Sequence, residues 1–492
     1  MPTAADGPAA REGPAHDPPR HEPPERDPVQ LDGERRALEQ ARRAAADKVA
    51  RVARISGGGA DALADEYIDA VVAGTIESLR RELVVFGRVD DDRPWRIGLY
   101  GIDDAGGDQL VVDWRAPFAA RFYRASFDEP LGLRRRVAYV GCIDDLLVED
   151  FAAGTVSGTS PLMAELSRSR GAAMRTAVAT LQTEQDRLVR LPPDARLVLR
   201  GGPGTGKTVV ALHRAAWLVY NDRRITAERI LVIGPSDRFL RFVSAVLPTL
   251  GEARVTQTTF DRLLGPASDG DPERDGRWLA TLDRFFAGLC RPAPLRIGRT
   301  RVREAEVAAL VDRLAGRALS WRDRRRALAD ILVNRHHVAR REATAAIAEV
   351  MPPLSVRQVL SRLRAEGVDP GHGPLADEAR ARVEGVPARY SHVIVDEAQD
   401  MSLLQLRAVR RRADGLTVVG DDAQRSRRDG LGLAAAAPLL DVGPEQMTTA
   451  YRMSAEIASW LNAWAERNGL DAVVLDGIRP TGIPVVEAPV RE

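Results

Sequence analysis

The sequence predicts an α/β fold in which a phosphate-binding loop lies at the edge of a parallel sheet. An apolar run at 195–200 leads into a glycine-rich loop, and apolar residues at helical spacing follow from Val209 to Tyr220. Two more apolar runs, 393–395 and 416–419, are each followed closely by acidic residues. Because strands that alternate with helices are typical of parallel sheets, we predict such a sheet, interrupted by a helical insertion and preceded by a helical hairpin and a small β-rich module.

The loop itself has the spacing G-x-x-x-x-G-K-T, which binds nucleotide phosphates through backbone N–H groups at a helix N-terminus. Its residues are Gly201, Gly202, Pro203, Gly204, Thr205, Gly206, Lys207 and Thr208. Of the 71 basic side chains only Lys48 and Lys207 are lysine, so a compact ammonium is retained where phosphate contact needs it. We therefore predict that the loop and Lys207 bind ATP and that the Thr208 hydroxyl ligates Mg²⁺.

Acidic and amide side chains after the later strands complete a hydrolytic site. Asp396 is predicted to hold Mg²⁺ with Thr208, and Glu397 to polarise the attacking water. Gln424, after the next strand, could bond the γ-phosphate or the water. The predicted catalytic residues thus include Lys207, Glu397 and Gln424.

Three further residues are candidates for contacts with the nucleotide. The amide of Gln185 precedes the loop and could read the adenine edge. Tyr451 offers a ring for the base, and Arg452 a guanidinium for the γ-phosphate charge, so we count Arg452 among the catalytic residues.

Composition adds broad limits. A chain of 492 residues is long enough for several domains, since single cores rarely exceed about 300 residues. Its net charge of +1 means that attraction to nucleic acid must come from local patches. Two distant cysteines and no apolar run of about 18 residues favour a cytoplasmic protein without a membrane partner.

In their order and spacing these motifs resemble those of UvrD-type superfamily 1 helicases over about residues 179–460. The resemblance assigns Gln185 to the Q motif, and it implies that Gly234–Ser236 and Thr258–Phe260 contact single strands. The earlier segments Phe86–Arg88, Val111–Pro117 and Phe122–Tyr123, together with Ala211–Ala215, resemble HelD-type ATPases. That likeness implies RNA polymerase as a partner: the hairpin enters its secondary channel, the insertion its main channel, and ATP turnover promotes release. DNA is a further candidate partner.

The pattern changes along the chain predict the domain boundaries. The proline-rich start has almost no large apolar residue, and Gly57–Gly59 separates two helical stretches. The boundaries are 1–33 for a disordered tail, 34–87 for the helical hairpin or coiled-coil arm, 88–155 for the β-rich module, 156–178 for a helical linker, 179–270 and 388–440 for the halves of a RecA-like ATPase domain, 271–387 for the helical insertion, and 441–492 for the start of an incomplete second RecA-like domain.

Two alternatives stay open at this point. About 40 residues follow Arg452, so the later helicase motifs, including a further arginine for the γ-phosphate, have no counterpart in the sequence. This favours weak hydrolysis, and one alternative is a truncated, catalytically weak protein that binds polymerase. The other is a DNA helicase acting in repair.

Overall fold

The computed structural model describes residues 20–21, 28–52, 85–139, 146–158, 181–250, 252, 254–267, 273–368, 371, 373–386 and 388–487. These residues fall into two compact units. The first comprises Met1–Val189 with Pro248–Ala253, and the second comprises Arg190–Leu247 with Arg254–Glu492. Within the described ranges, no helix combines the length and the apolar character needed to cross a bilayer.

The first unit is built on an eight-stranded mixed sheet with the order β1-β8-β7-β6-β2-β3-β5-β4. The β1–β8 and β3–β5 pairs are parallel and the others antiparallel. Its strands are β1 Arg20–His21, β2 Val85–Asp90, β3 Pro94–Gly98, β4 Ile102–Asp103, β5 Gln109–Asp113, β6 Arg135–Tyr139, β7 Leu146–Asp150 and β8 Thr155–Gly158, and its helices are α1 Pro28–Val52, α2 Ala120–Arg124 and α3 Thr183–Val189.

Helix α1 lies against this sheet. Leu38, Ala41 and Ala45 share one face of the helix and pack in a buried cluster with residues of β2, β4, β5 and β6. The carboxylate of Glu34 is buried beside Arg88 and accepts a hydrogen bond of 2.6 Å from the Tyr139 hydroxyl. Burial opposes ionisation of Glu34, but Arg88, Tyr139 and Arg96 outweigh it and lower its pKa. The start of the predicted hairpin is therefore fixed to the β-rich module.

Several predicted boundaries in this unit differ from the observed ones. Helix α1 begins at Pro28 and Arg20–His21 pairs with β8, so the predicted tail at 1–33 is too long. Proline suits the first helical turn, which needs no N–H donor there, and this outweighs the proline-rich composition. Residues 156–158 extend strand β8 and are not helical linker. The second predicted arm of the hairpin and the rest of that linker lie outside the described residues.

The second unit confirms the predicted α/β class. Its main sheet has six strands, all parallel, in the order β11-β10-β14-β15-β9-β16. The strands of this unit are β9 Arg196–Gly201, β10 Ile230–Ile233, β11 Thr256–Thr258, β12 Leu295–Ile297, β13 Thr300–Val302, β14 Tyr390–Val395, β15 Ala413–Gly420, β16 Pro444–Met447, β17 Thr449–Ser454 and β18 Asp476–Arg479.

Helices surround this sheet and form the insertion. They are α4 Lys207–Asn221, α5 Asp237–Val246, α6 Phe260–Leu264, α7 Arg274–Leu289, α8 Glu304–Ala315, α9 Trp321–His336, α10 Arg340–Ala346, α11 Val356–Ala365, α12 Gly373–Glu384, α13 Leu403–Arg412, α14 Leu433–Leu439 and α15 Ala455–Arg467. Strand β10 is apolar throughout and each of its residues is buried, as a sheet covered on both faces requires.

Helices α7 to α12 and the hairpin β12–β13 separate β11 from β14 in sequence. Trp321 and Leu328 belong to a core of their own within this segment. A buried ion network joins α12 to α13, because Asp377 and Glu378 pair with Arg411, and Asp377 also with Arg412. Arg325 of α9 donates a hydrogen bond of 2.8 Å to the carbonyl of Met351, so its guanidinium stabilises the local fold.

The main sheet of the second unit continues beyond residue 440, where the first RecA-like domain was predicted to end. Strand β16 pairs in parallel with β9, and only β17 and β18 form a separate two-stranded parallel sheet. Residues 444–447 therefore belong to the main sheet and not to the predicted second RecA-like domain. The sequence Pro444–Met447 has no apolar run, and a strand that begins with proline is allowed at a sheet edge, which is why the pattern did not reveal it.

A buried polar network crosses the core of the second unit. The Arg214 guanidinium donates to the carbonyls of Leu191 and Pro192, each at 2.7 Å, and to the Thr417 hydroxyl at 3.1 Å. The His392 ring bridges Thr417 Oγ1 at 2.9 Å and Pro193 O at 2.8 Å. Helix α4 is thus tied to two central strands and to the segment before β9.

This network predicts acid sensitivity near neutral pH. Burial lowers the pKa of His392 to about 3, with the charge of Arg214 acting in the same direction, whereas an unfolded histidine titrates near 6.5. The folded state then binds fewer protons than the unfolded state below pH 6.5, so stability is lost as pH falls, by about 1 kcal/mol at pH 5.5 from this residue. We expect His392→Gln to flatten the fall in melting temperature between pH 7.5 and 5.5.

The exposed His337 provides the matched control. His337→Asn should leave the pH dependence of the melting temperature as in the wild type. An unchanged pH dependence in His392→Gln would contradict the assignment of the titration to the network.

Candidate active site

The glycine-rich loop joins β9 to α4 at the carboxyl edge of the parallel sheet. Gly204 and Gly206 have φ values of 77° and 92°, in the left-handed region that favours glycine. The Thr205 hydroxyl donates to Gly202 O at 3.0 Å, which closes the loop on itself. The loop therefore presents backbone N–H groups at the start of a helix, where anions are stabilised.

The ammonium of Lys207 lies over this loop. It donates to Gly201 O at 2.7 Å and to Gly202 O at 2.9 Å. Burial lowers the pKa of Lys207, while the carboxylates of Asp421, Glu397 and Asp396 oppose that shift. A cation on a flexible stem, held beside phosphate-binding N–H groups, is suited to contact phosphate oxygens.

Two oxygen ligands meet between the loop and strand β14. The Thr208 hydroxyl donates to Asp396 Oδ2 at 2.6 Å, and the N–H of Asp396 is fixed by Ile233 O at 3.0 Å. Burial raises the pKa of Asp396 to about 6, even though the hydrogen bond from Thr208 favours the charged form. A hydroxyl and a carboxylate side by side are the donor set that Mg²⁺ prefers, so these residues fit the predicted metal.

The backbone of Glu397 is strained, with φ at 52° in the left-handed region. Such a conformation costs about 1–3 kcal/mol in a non-glycine residue and is common at functional sites. The N–H of Glu397 donates to Asp396 Oδ1 at 2.8 Å, and its Oε2 accepts from Gln399 Nε2 at 2.8 Å. The base candidate therefore has a fixed side chain beside the metal ligand.

The polar residues after β15 have different tasks. Gln424 is exposed, and its amide donates to Asp421 Oδ2 at 2.8 Å. Asp422 instead accepts from the N–H groups of Leu433 and Ala434, at 2.6 and 3.1 Å, and so caps helix α14. Gln424 thus lies in the group that includes Asp421, while Asp422 holds the neighbouring helix.

Residues of β17 contact the glycine-rich loop directly. The N–H of Tyr451 donates to Gly204 O at 3.0 Å, and a Cβ at Gly204 would lie 2.6 Å from the Cβ of Arg452. The charge of Arg452 also lowers the pKa of Lys207. Tyr451 and Arg452 are therefore brought to the loop.

Arg200, which lies on β9 just before the loop, is not among the residues predicted from the sequence. Its buried guanidinium pairs with Asp422 at 3.0 Å and with Asp471 at 2.8 Å. It joins the edge of the main sheet to the loop between α15 and β18. The available signal was an arginine at the carboxyl end of an otherwise apolar stretch, immediately before the glycine-rich loop.

Three other predicted positions have local structural contacts. Gln185 is a buried residue of the first unit, and its Oε1 accepts from Gln182 N at 3.2 Å. Ser236 and Thr259 each cap a helix, α5 and α6, through N–H groups 3.3 Å away. The adenine contact of Gln185 and the single-strand contacts of 234–236 and 258–260 stay predictions.

Two family models match the chain. Residues 25–142 match the model described as DNA helicase IV HelD, N-terminal domain, and residues 185–428 match one described as AAA domain. No curated protein matches the chain significantly. The second match includes the loop, Asp396, Glu397 and Gln424.

The contact between Gly204 and β17 can be tested with a matched pair of variants. Gly204→Ala and Gly367→Ala both place alanine at φ 77°, which costs about 1–2 kcal/mol, but only Gly367 has open space around its Cβ. We expect Gly204→Ala to lose at least as much melting temperature as Gly367→Ala, because its Cβ also meets Arg452, and Gly204→Ala alone to bind a fluorescent ATP analogue at least about tenfold more weakly. Equal binding by the two variants would contradict a role for this contact.

Proposed function

Because the chain is a HelD-type relative of the UvrD-like helicases, we propose that it binds ATP with Mg²⁺, hydrolyses it, and associates with RNA polymerase to promote the release or recycling of the enzyme. The proposal that the chain binds ATP with Mg²⁺ rests mainly on one observation. The hydroxyl of Thr208 and the carboxylate of Asp396 are hydrogen-bonded at 2.6 Å next to Lys207, which is the arrangement that phosphate-bound Mg²⁺ requires.

Each residue then has a defined task in hydrolysis. The loop N–H groups and Lys207 bind the phosphates, and Thr208 and Asp396 hold Mg²⁺, which neutralises phosphate charge when bound. Glu397 orients a water molecule and accepts its proton as the water oxygen bonds to the γ-phosphorus and the bond to the β–γ bridging oxygen breaks. Gln424 and Arg452 are proposed to contact the γ-phosphate or the water.

The proposed polymerase association rests on the N-terminal region. The match over residues 25–142 supports it, as does the helical pattern that continues on both sides of Gly57–Gly59. Helix α1 is fixed to the sheet through Leu38, Ala41 and Glu34, so the module can serve as a rigid base for a projecting hairpin. The helical insertion would provide the second contact with polymerase.

The hydrolytic proposal predicts different defects for two substitutions. Lys207→Ala removes the phosphate cation and should abolish both ATP binding and turnover. Glu397→Gln keeps the shape of the site but removes the base, so we expect ATP binding to persist while turnover falls about 10²- to 10⁴-fold. Steady-state phosphate release and equilibrium binding of a fluorescent ATP analogue measure the two effects. Wild-type turnover no greater than that of Lys207→Ala would contradict hydrolysis and favour a binding protein.

The polymerase proposal predicts that the segment between α1 and β2 carries the interaction. A deletion of the first 90 residues would remove helix α1 and strand β2 as well as this segment. The variant for this test therefore keeps both elements and replaces only residues 57–79 with a glycine-serine linker. We expect this variant to lose capture of core RNA polymerase while Lys207→Ala retains it. Undiminished capture by the linker variant at an unchanged melting temperature would contradict the hairpin assignment.

A further inference from the structure

We infer that Gln399 is a positioning residue for ATP hydrolysis, which holds the base Glu397 in register with the end of strand β15. The inference rests on the proposed hydrolytic function and adds a residue to which no role has been assigned. Gln399 is 2% exposed, so its amide groups depend on protein partners. Both ends of that amide are bonded within the site.

The two bonds fix the orientation of the amide. Gln399 Nε2 donates to Glu397 Oε2 at 2.8 Å, and Gln399 Oε1 accepts from the N–H of Asp421 at 3.1 Å. A carboxylate can only accept here and a backbone N–H can only donate, so a flipped amide would lose both bonds. Gln399 therefore joins the residues after β14 to those after β15.

The strand end is shaped to admit this side chain. A Cβ at Gly420 would lie 2.3 Å from Gln399 Oε1, so glycine is needed for the amide to reach its partner. On the far side, Asp421 accepts from Gln424 Nε2 at 2.8 Å. Glu397, Gln399, Asp421 and Gln424 thus form a continuous hydrogen-bonded series that ends at the candidate γ-phosphate contact.

The strained backbone of Glu397 explains why such support is needed. With φ at 52°, the residue is held by the bond from its N–H to Asp396 and by the amide of Gln399. Without Gln399 the carboxylate gains rotamers, and fewer of them direct an oxygen at the water. Gln399 acts through Glu397 and does not itself contact the reacting atoms.

The test compares Gln399→Met with Gln405→Met. Gln405 is also a buried glutamine of this unit, but its side chain bonds the start of α13, where it accepts from Ser402 N at 2.9 Å. We expect Gln399→Met to lower kcat for ATP about 10- to 100-fold, as loss of a supporting hydrogen bond at a metal site does, with the Kd of a fluorescent ATP analogue unchanged. Gln405→Met should lower the melting temperature and leave kcat unchanged.

A double-mutant cycle separates positioning from general damage. In the Glu397→Gln background, Gln399→Met should slow turnover no further, because the carboxylate that it orients is gone. Gly420→Ala should reproduce the kcat defect by displacing the amide, and it tests the inference independently should Gln399→Met fold poorly. Wild-type kcat in both Gln399→Met and Gly420→Ala, or an equal loss in the Glu397→Gln background, would overturn the inference. Absence of wild-type turnover would overturn hydrolysis and this inference together.

Discussion

The bond between Thr208 and Asp396 is the constraint on which the rest of the second unit depends. Its partners are 188 positions apart in sequence, and β15 lies in the sheet between β9 and β14, the strands that precede Thr208 and Asp396. Only a parallel sheet brings the carboxyl ends of those strands to one edge. The order β10-β14-β15-β9 is therefore the feature that converts two separate motifs into one site.

That sheet order has to be kept although the chain leaves the sheet between β11 and β14. The insertion has a hydrophobic core of its own, which includes Trp321 and Leu328 and is formed by residues of the insertion. The buried ion network between α12 and α13 then holds the last helix of the insertion against a helix that follows β14, close to where the chain re-enters the sheet. Breaking one partner of such a network would leave a buried charge uncompensated, which typically costs several kcal/mol. The site thus depends on contacts remote from nucleotide.

The parallel sheet could be predicted from the sequence because β9, β14 and β15 each contain a short apolar run that is followed by residues with distinctive chemistry. The sequence did not reveal β16, whose edge position needs no apolar pattern. Nor could it reveal the network of Arg214, Thr417 and His392, since a buried hydrogen bond between distant strands leaves no periodicity. Gln399 was visible only as a neighbour of the acids, because its partner at Asp421 belongs to another strand.

The glycine-rich loop shows how one segment satisfies two demands. The phosphate-binding pattern requires Gly201 and Gly206, whereas Gly202 and Gly204 occupy positions that the pattern leaves free. Close neighbours explain these two glycines. A Cβ at Gly202 would lie 2.6 Å from the Leu475 side chain, and a Cβ at Gly204 would lie 2.6 Å from Arg452 Cβ. Both neighbours belong to the part of the chain that forms the second, two-stranded sheet. The extra glycines therefore let that sheet approach the loop closely, which puts Arg452 beside Lys207 without a change in the phosphate-binding backbone.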